Sequence, residues 1–450
     1  MIVTFKSSLI CYFLCLGVGL LPLWEVHAEE GDHVQAEEEE EEGEEVFEYN
    51  VGVANSFMGE DFNVGGFIFP ELFVIGTGGV FDSGSSASDY ATAEHDPQND
   101  VTVQAIELHF GINLNDVVTG FVGGVGYMGA GEVWETELEE AFLHLHVNEN
   151  IAIGGGQFLN TFGFQADRHL HGWNFVNQNL VNSRMLNEGE LITQGGEVVF
   201  RMPDHGVLTI AAGGPRAHSH GAGHGGHGHA GEDEEEHHED EEDDEHHEEE
   251  EDDHGGPGHA HIEADEGNFE GSVFSADYKF RLPVNDSIEF SASVATGENG
   301  FGRETTVYGF GFEKVWNGHD HGDAGPEFCD GALMLRSEFM GRNVKGIDEN
   351  SIGAKFNDYG VSTVLLYGLN ERSTLSLRHG WTSSVEAADL ADRHRISPGF
   401  STFLGQDQRI QARVQYDYTQ SNSIPGEHAA WLQVQIQWGG TGGSHAGHNH

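Results

Sequence analysis

Ile106-Glu107-Leu108-His109-Phe110-Gly111-Ile112-Asn113-Leu114 alternates apolar and non-apolar residues without a break. Successive side chains of a strand point to opposite faces, so Ile106, Leu108, Phe110, Ile112 and Leu114 line one face. Glu107, His109, Gly111 and Asn113 line the other. The same period of two recurs from residue 47 to residue 438. Phe274, Ala276, Tyr278 and Phe280 alternate with Ser275, Asp277, Lys279 and Arg281. Ile410, Ala412, Val414, Tyr416 and Tyr418 alternate with Arg409, Gln411, Arg413, Gln415 and Asp417, and the last strand sets Leu432, Val434, Ile436 and Trp438 against Gln433, Gln435 and Gln437.

A β-sandwich also alternates, but its polar faces look into bulk water. Here charged and amide side chains occupy consecutive positions of one face, while the opposite faces carry aromatic ends. Segments of ~10 residues with that pattern mark a membrane barrel with a wet lumen. Strands are predicted near 47–58, 101–114, 117–128, 137–147, 151–158, 194–202, 206–212, 271–282, 287–296, 304–316, 330–341, 351–357, 361–369, 373–381, 408–418 and 430–438, with 62–75 also strand-like. The expected fold is all-β: an antiparallel transmembrane β-barrel of an even number of strands, 14 to 16, over residues 47–438.

Around that barrel the chain divides by composition. Residues 1–28 read as a signal peptide, with Lys6 ahead of an apolar run Leu9–Leu23 and a small-residue cleavage site at Val26-His27-Ala28. The run is shorter than the ~20 apolar residues of a spanning helix, and no other stretch is apolar enough to be one. Residues 29–46 form an acidic tail too short for a separate plug domain. Only Cys329 remains after cleavage at residue 28, which excludes an intramolecular disulfide and thiolate-rich metal sites.

Formal net charge is −58, of which 30 acids lie in two blocks, residues 29–48 and 232–253; the rest still carries about −28. An acidic surface repels nucleic acid and phosphate and concentrates cations. Short turns fall near Asn113–Asp116, Asn148–Asn150, Pro203–His205 and Pro283–Asn285, whereas 159–193 and 213–270 are long. Short turns of such barrels face the periplasm and long loops face outward, so both long connections are external and both chain ends periplasmic.

The insertion 213–270 is expected to be a long disordered His/acid-rich loop. Within it, residues 218–261 hold His218, His220, His224, His227, His229, His237, His238, His246, His247, His254, His259 and His261 among eighteen carboxylates. Imidazole nitrogen and carboxylate oxygen are ligands for borderline divalent ions such as zinc, and affinity order alone does not choose the metal. Glycine-rich flanks predict several weak, exchangeable sites rather than one rigid site. Lesser clusters occur at His319-Asp320-His321-Gly322-Asp323, at His445, His448 and His450 in the tail 439–450, and at Asp32-His33. They place ligands on the periplasmic side too, suited to hand-over to a periplasmic metal-binding protein. His144 and His146 share a face with Glu140 and are expected to point into the lumen, as a transit site or as ordinary lining.

The stretch from Phe162 to Pro203, which takes in most of the connection 159–193, contains Arg168-His169-Leu170-His171-Gly172-Trp173-Asn174-Phe175-Val176, then Asn182-Ser183-Arg184-Met185-Leu186, Glu188-Gly189 and Gly195-Gly196-Glu197-Val198. Trp173 and Phe175 among Asn and His fit a loop folded inward to narrow a pore, or a surface loop anchored by its aromatics. The segment resembles a motif in a family of porin-like, plug-less outer-membrane barrels linked to zinc uptake and often labelled zinc-regulated receptors. It departs from that family at Asn177-Gln178-Asn179-Leu180, where an Asp and a Pro are usual. The resemblance implies zinc-linked uptake, with His169 and His171 at the matching positions.

No catalytic triad, phosphate loop or paired-carboxylate spacing stands out, so no enzymatic activity is expected. The expectation is a bacterial outer-membrane channel, seated in lipid, for divalent ions. Zinc leads, and the His-rich loop captures the ion. A barrel-anchored metal-sequestering protein and a general porin with an incidental loop are the rivals.

Overall fold

The computed structural model describes residues 68–114, 117–129, 133–202, 206–216, 264–282, 285–317, 319–320, 326–327, 331–348, 352–405, 408–422 and 426–439. Outside them lie the leader, the acidic tail, the predicted strand 47–58, the twelve histidines of 218–261, His321 and the C-terminal tail.

The alternating segments pair edge to edge. In chain order the first strands are β1 (Ile68–Phe81), β2 (Val101–Leu114), β3 (Val118–Met128), β4 (Trp134–Asn148), β5 (Ile151–Leu159) and β6 (Ile192–Met202). Then come β7 (Gly206–Pro215), β8 (Phe269–Leu282), β9 (Asn285–Asn299), β10 (Glu304–Trp316) and a two-stranded hairpin of β11 (His319–Asp320) with β12 (Pro326–Glu327). The chain finishes with β13 (Leu333–Ile347), β14 (Gly353–Asn370), β15 (Ser373–Thr382), β16 (Arg393–Leu404), β17 (Ile410–Gln420) and β18 (Glu427–Gly439). All but the hairpin form a closed, sixteen-stranded barrel in which β1 pairs with β18. Closure satisfies every strand edge, the condition for crossing hydrocarbon with strands.

The expected alternation sets inside from outside. Leu108, Leu143, Val414 and Leu432 are 44–54% exposed on the outer face, whereas Glu107, His109, Gln415 and Gln433 are buried on the inner one. That apolar outer belt over a polar lumen makes the chain an outer-membrane barrel. No helix of the described residues is long and apolar enough to cross a membrane.

Three strand readings change. The first described strand, β1, begins at Ile68, so only residues 68–75 of the strand-like segment 62–75 fall within it. The predicted pair 351–357 and 361–369 is one strand of 18 residues, β14. Asp358-Tyr359-Gly360 reads as a turn, yet its pairing with β13 is continuous there, because buried Asp358 is held by Arg184 and Arg342. β16 was not expected, since Pro398-Gly399 breaks the pattern and proline cannot donate to a ladder. The strand runs through it: Pro398 keeps its place opposite Leu377 of β15, while the ladder to β17 skips Ser397 and Pro398 and resumes at Gly399 opposite Gln415.

Parity places the ends of the strands flanking 82–100, 160–191 and 216–268 at one rim, and those flanking 149–150, 203–205 and 371–372, with the start of β1 and the end of β18, at the other. By the short-turn rule the second rim is periplasmic. The β11–β12 hairpin, with His319, lies in a connection at that rim.

Candidate metal centre inside the barrel

Loop 160–191 decides what the lumen can do, and it folds inward. Asn179 caps the helix Leu180–Met185 by accepting from the amides of Val181 and Asn182, so the loop carries its own rigid turn. Phe162, Val181, Met185, Leu186 and Leu191 are buried in one cluster with Phe269, Val273, Ala295, Val307 and Met340 of the wall. At its other end Leu170 and Trp173 pack on Ile75, Ala105, Val125 and Tyr127. The loop therefore spans the lumen between walls, and its aromatics anchor it within the barrel rather than on the surface. Wall glycines make room: a Cβ on Gly311 would lie 2.6 Å from the Phe164 ring.

Charged side chains of the wall hold the loop backbone. Glu338 accepts from the Phe164 amide at 2.7 Å, and Asp277 and Ser293 accept from that of Gly163. Arg378 donates to the Asn177 carbonyl and Arg413 to that of Trp173, both at 2.7 Å. Arg336, Arg342, Arg378, Arg395 and Arg413, five of the chain's 19 Lys and Arg, are all buried on β13–β17.

The opposite wall, β2 to β6, is acidic and histidine-rich. Glu107 and His109 sit two apart on the inner face of β2. On β4 the pairing with β3 slips between Gly123 and Gly124, opposite Glu140 and Leu138. That bulge adds one residue and changes the parity, so Glu139 and Glu140 both turn inward and are fully buried. Loop 160–191 brings His169 and His171 down onto these acids.

The contacts are close. His171 Nδ1 lies 2.6 Å from Glu107 Oε2, and His169 Nε2 lies 2.8 Å from Glu140 Oε2. His169 Nδ1 is 3.3 Å from Glu139 Oε2. The ring of His109 is centred 4.8 Å from that of His169 and 5.1 Å from that of His171, and Phe73 stacks on His171 at 4.0 Å. Glu107, His109 and His171 bring ligand atoms within 4.8 Å of one another, as do His109, Glu139 and His169. Four ligands ~2.0–2.2 Å from a zinc ion stand ~3.4 Å apart, so small rotations would close either set on an ion. Burial alone would push the His169 imidazole down, but Glu139 and Glu140 outweigh it and hold it well above the usual histidine range. The acids thus favour positive charge at this place, whether proton or metal.

A second group adjoins it toward the outer rim. His95, from the connection between β1 and β2, points Nδ1 at Glu190 Oε1 (3.6 Å) and Glu139 Oε1 (3.8 Å). Here too burial would lower the imidazole, and the carboxylates of Glu137, Glu190 and Glu139 hold it well above its usual range. Arg216 pairs with Glu94 at 3.3 Å and Glu137 at 2.7 Å.

Of the residues expected to bind metal, His169 and His171 are brought together with four partners from the wall. His144 and His146 do point inward, but they bind Glu197 (2.7 Å) and Thr119 (2.8 Å) instead. Phe121 and Phe142 intervene, their rings 5.6 Å from His169 and 4.9 Å from His144 respectively. Glu107, His109, Glu139, His95 and Glu190 were not expected in the site. They come from separate elements with no shared spacing; the available signals were Glu107 and His109 on a lumenal face and the acid run Glu137–Glu140 inside a strand.

No protein-family model and no curated protein matches the sequence. Solved structures match in fold. The outer membrane channel DcaP of Acinetobacter baumannii has a TM-score of 0.51 at 10% identity, covering 84% of this chain and 99% of that one. OmpF of Salmonella typhi, solved with daunomycin, gives 0.48 at 11% identity over 82% of this chain and 97% of its own. An anion-selective porin from Comamonas acidovorans gives 0.46 at 9%, covering 83% and 99%. At these identities the likeness concerns fold alone, and that of DcaP agrees with the barrel.

Proposed function

We propose that the chain is an outer-membrane channel for divalent metal ions, zinc foremost, with its transit site where loop 160–191 meets β2 and β4. The observation that carries this reading is the convergence of His109, His169 and His171 with buried Glu107, Glu139 and Glu140 across the lumen. Nitrogen and carboxylate donors together suit borderline divalent ions rather than sugars, phosphates or alkali cations. The His-rich stretch 218–261 raises the ion concentration at the outer rim, and an acidic site favours cations inside. His319, His321 and the tail histidines receive the ion for a periplasmic binding protein. No chemistry is asked of the protein, and the naming of DcaP as a channel fits the same use of the fold.

Full burial of Glu139 and Glu140 favours a second reading, in which the ion is held rather than passed and the barrel anchors a metal store. Zinc influx into proteoliposomes with an entrapped fluorescent indicator separates them. The unmodified chain should carry zinc, and His169→Ala with His171→Ala should lower the flux at least tenfold. Zinc binding without flux would select the store; flux unchanged in the double variant would leave only a general porin.

A further inference from the structure

Glu139 is the least explained side chain in the lumen. It is fully buried, and neither carboxylate oxygen receives a hydrogen bond. Stripping water from an ionised carboxylate without replacing its donors is among the costliest arrangements in a protein interior. The two oxygens diverge: Oε2 faces His169 Nδ1 at 3.3 Å and Oε1 faces His95 Nδ1 at 3.8 Å. The bulge on β4 puts it there, between the two inward loops.

Each side of Glu139 is a complete ligand set. On one side are His109 and His169; on the other are His95 and Glu190, with ligand atoms again within 4.8 Å of one another. Glu190 Oε1 and His95 Nε2 are also buried without a hydrogen bond. Glu137 lies 3.8 Å from His95 Nε2 but is already paired with Arg216, whereas Glu139 and Glu190 face His95 Nδ1. A carboxylate whose oxygens serve two neighbouring ions is the usual bridge of two-metal sites, whose ions stand ~3.5–4 Å apart.

We propose that the lumen takes two divalent ions side by side, bridged by the Glu139 carboxylate, with the outer ion held by His95 and Glu190 and the inner one by His109 and His169. The inference rests on the metal-binding reading of the cluster and adds a second site to it. Two adjacent ions repel, so arrival of the outer ion weakens the hold on the inner one. That is how a channel binds its ion and still releases it. His95 belongs to a connection at the outer rim, so its site fills first from outside.

Crystals of the full chain grown with zinc as the only added metal, with data collected on both sides of the zinc absorption edge, test this directly. Two anomalous peaks flanking Glu139, ~3.5–4 Å apart, are expected. His95→Ala should erase the outer peak and keep the inner one, and Glu139→Gln should reduce both. A single peak beside His109 and His169 in the unmodified chain would overturn the two-ion arrangement and leave the channel reading standing. No peak at the cluster would overturn both.

Discussion

The two walls of the lumen differ in how their charges are met. On β13–β17 each guanidinium has a protein partner: Arg378 and Arg413 take loop carbonyls, Arg336 takes Glu313, and Arg342 takes Asp358. On β2–β6 buried acids crowd together, and neither carboxylate oxygen of Glu139 has a hydrogen bond. Buried charge is tolerated when it is paired and hydrogen-bonded. The arginine wall works as a clasp for loop 160–191, although Arg395 Nη1 and Arg413 Nε are buried there without a hydrogen bond. The acidic wall meets its charge with the imidazoles of His95, His169 and His171, and on the proposed reading a metal ion would complete it.

The clasp is where the largest effect is expected. Hydrogen bonds to charged groups contribute about 1.5–3 kcal/mol each, and Arg378 also lies over the Phe175 ring at 4.4 Å. Arg378→Met with Arg413→Met removes about 3–6 kcal/mol from the inward position of the loop. Single-channel conductance in a planar bilayer should rise several-fold, with loss of preference for zinc over potassium. Unchanged conductance would mean that the apolar packing of Phe162, Val181 and Met185 holds the loop unaided.

Completion by a cation has its own signature. A ligand bound only by the folded state stabilises it by RT ln(1 + [L]/Kd), about 2.7 kcal/mol at a hundredfold excess over Kd. Zinc should protect the barrel against urea in detergent by that amount, and a chelator should reverse it. Glu139→Gln keeps the shape and drops the charge, so the metal-free variant should be no less stable than the metal-free parent and should lose most of the zinc response. A full response in Glu139→Gln would place the bound zinc elsewhere, for instance on residues 218–261.

How much of this was legible follows the same division. Strict alternation such as Ile106–Leu114 gave the barrel and the inward face, because a half-buried strand repeats every two residues, while the even strand number came from the general rule for such barrels. It failed where local chemistry opposed a strand that neighbours enforce, at Pro398 in β16 and Asp358 in β14. In the site, His169 and His171 were legible as a His-x-His pair. Glu107 and His109 were visible as lumenal residues without a partner in sequence. Glu139 was not legible, since its inward turn depends on a one-residue bulge that periodicity cannot announce. Nothing in the chain tells that His95 comes 3.6 Å from Glu190, 95 residues away.

The cluster also predicts opposite responses of loop and metal to pH. His169 and His95 have raised values in the fold. A raised base stabilises the fold fully below its unfolded value, about 6.5, and that contribution is lost as pH rises through the higher folded value. Without metal, protection of the 160–191 amides against hydrogen exchange, corrected for intrinsic rate, should therefore weaken as pH rises above neutrality. Zinc needs unprotonated imidazole, so its affinity should rise over the same interval. With zinc present the loss of protection should disappear. Loop protection independent of pH in both states would show that the histidines do not hold the loop.

The smallest effect is expected beyond the aromatic pair. His144 hydrogen-bonds Glu197 on β6 at 2.7 Å, and the rings of Phe121 and Phe142 stand between it and His169. Gln in its place can still donate to Glu197, so His144→Gln should leave zinc binding at the cluster within about twofold, a change of under 0.5 kcal/mol. Flux is the sharper reading. If zinc leaves the cluster toward the arginine wall, flux too stays within twofold and His144 is lining. If flux falls as far as it does without His169, the ion passes the two phenyl rings. The acidic wall would then be a path along β4 from Glu139 to His146, rather than a single stopping place.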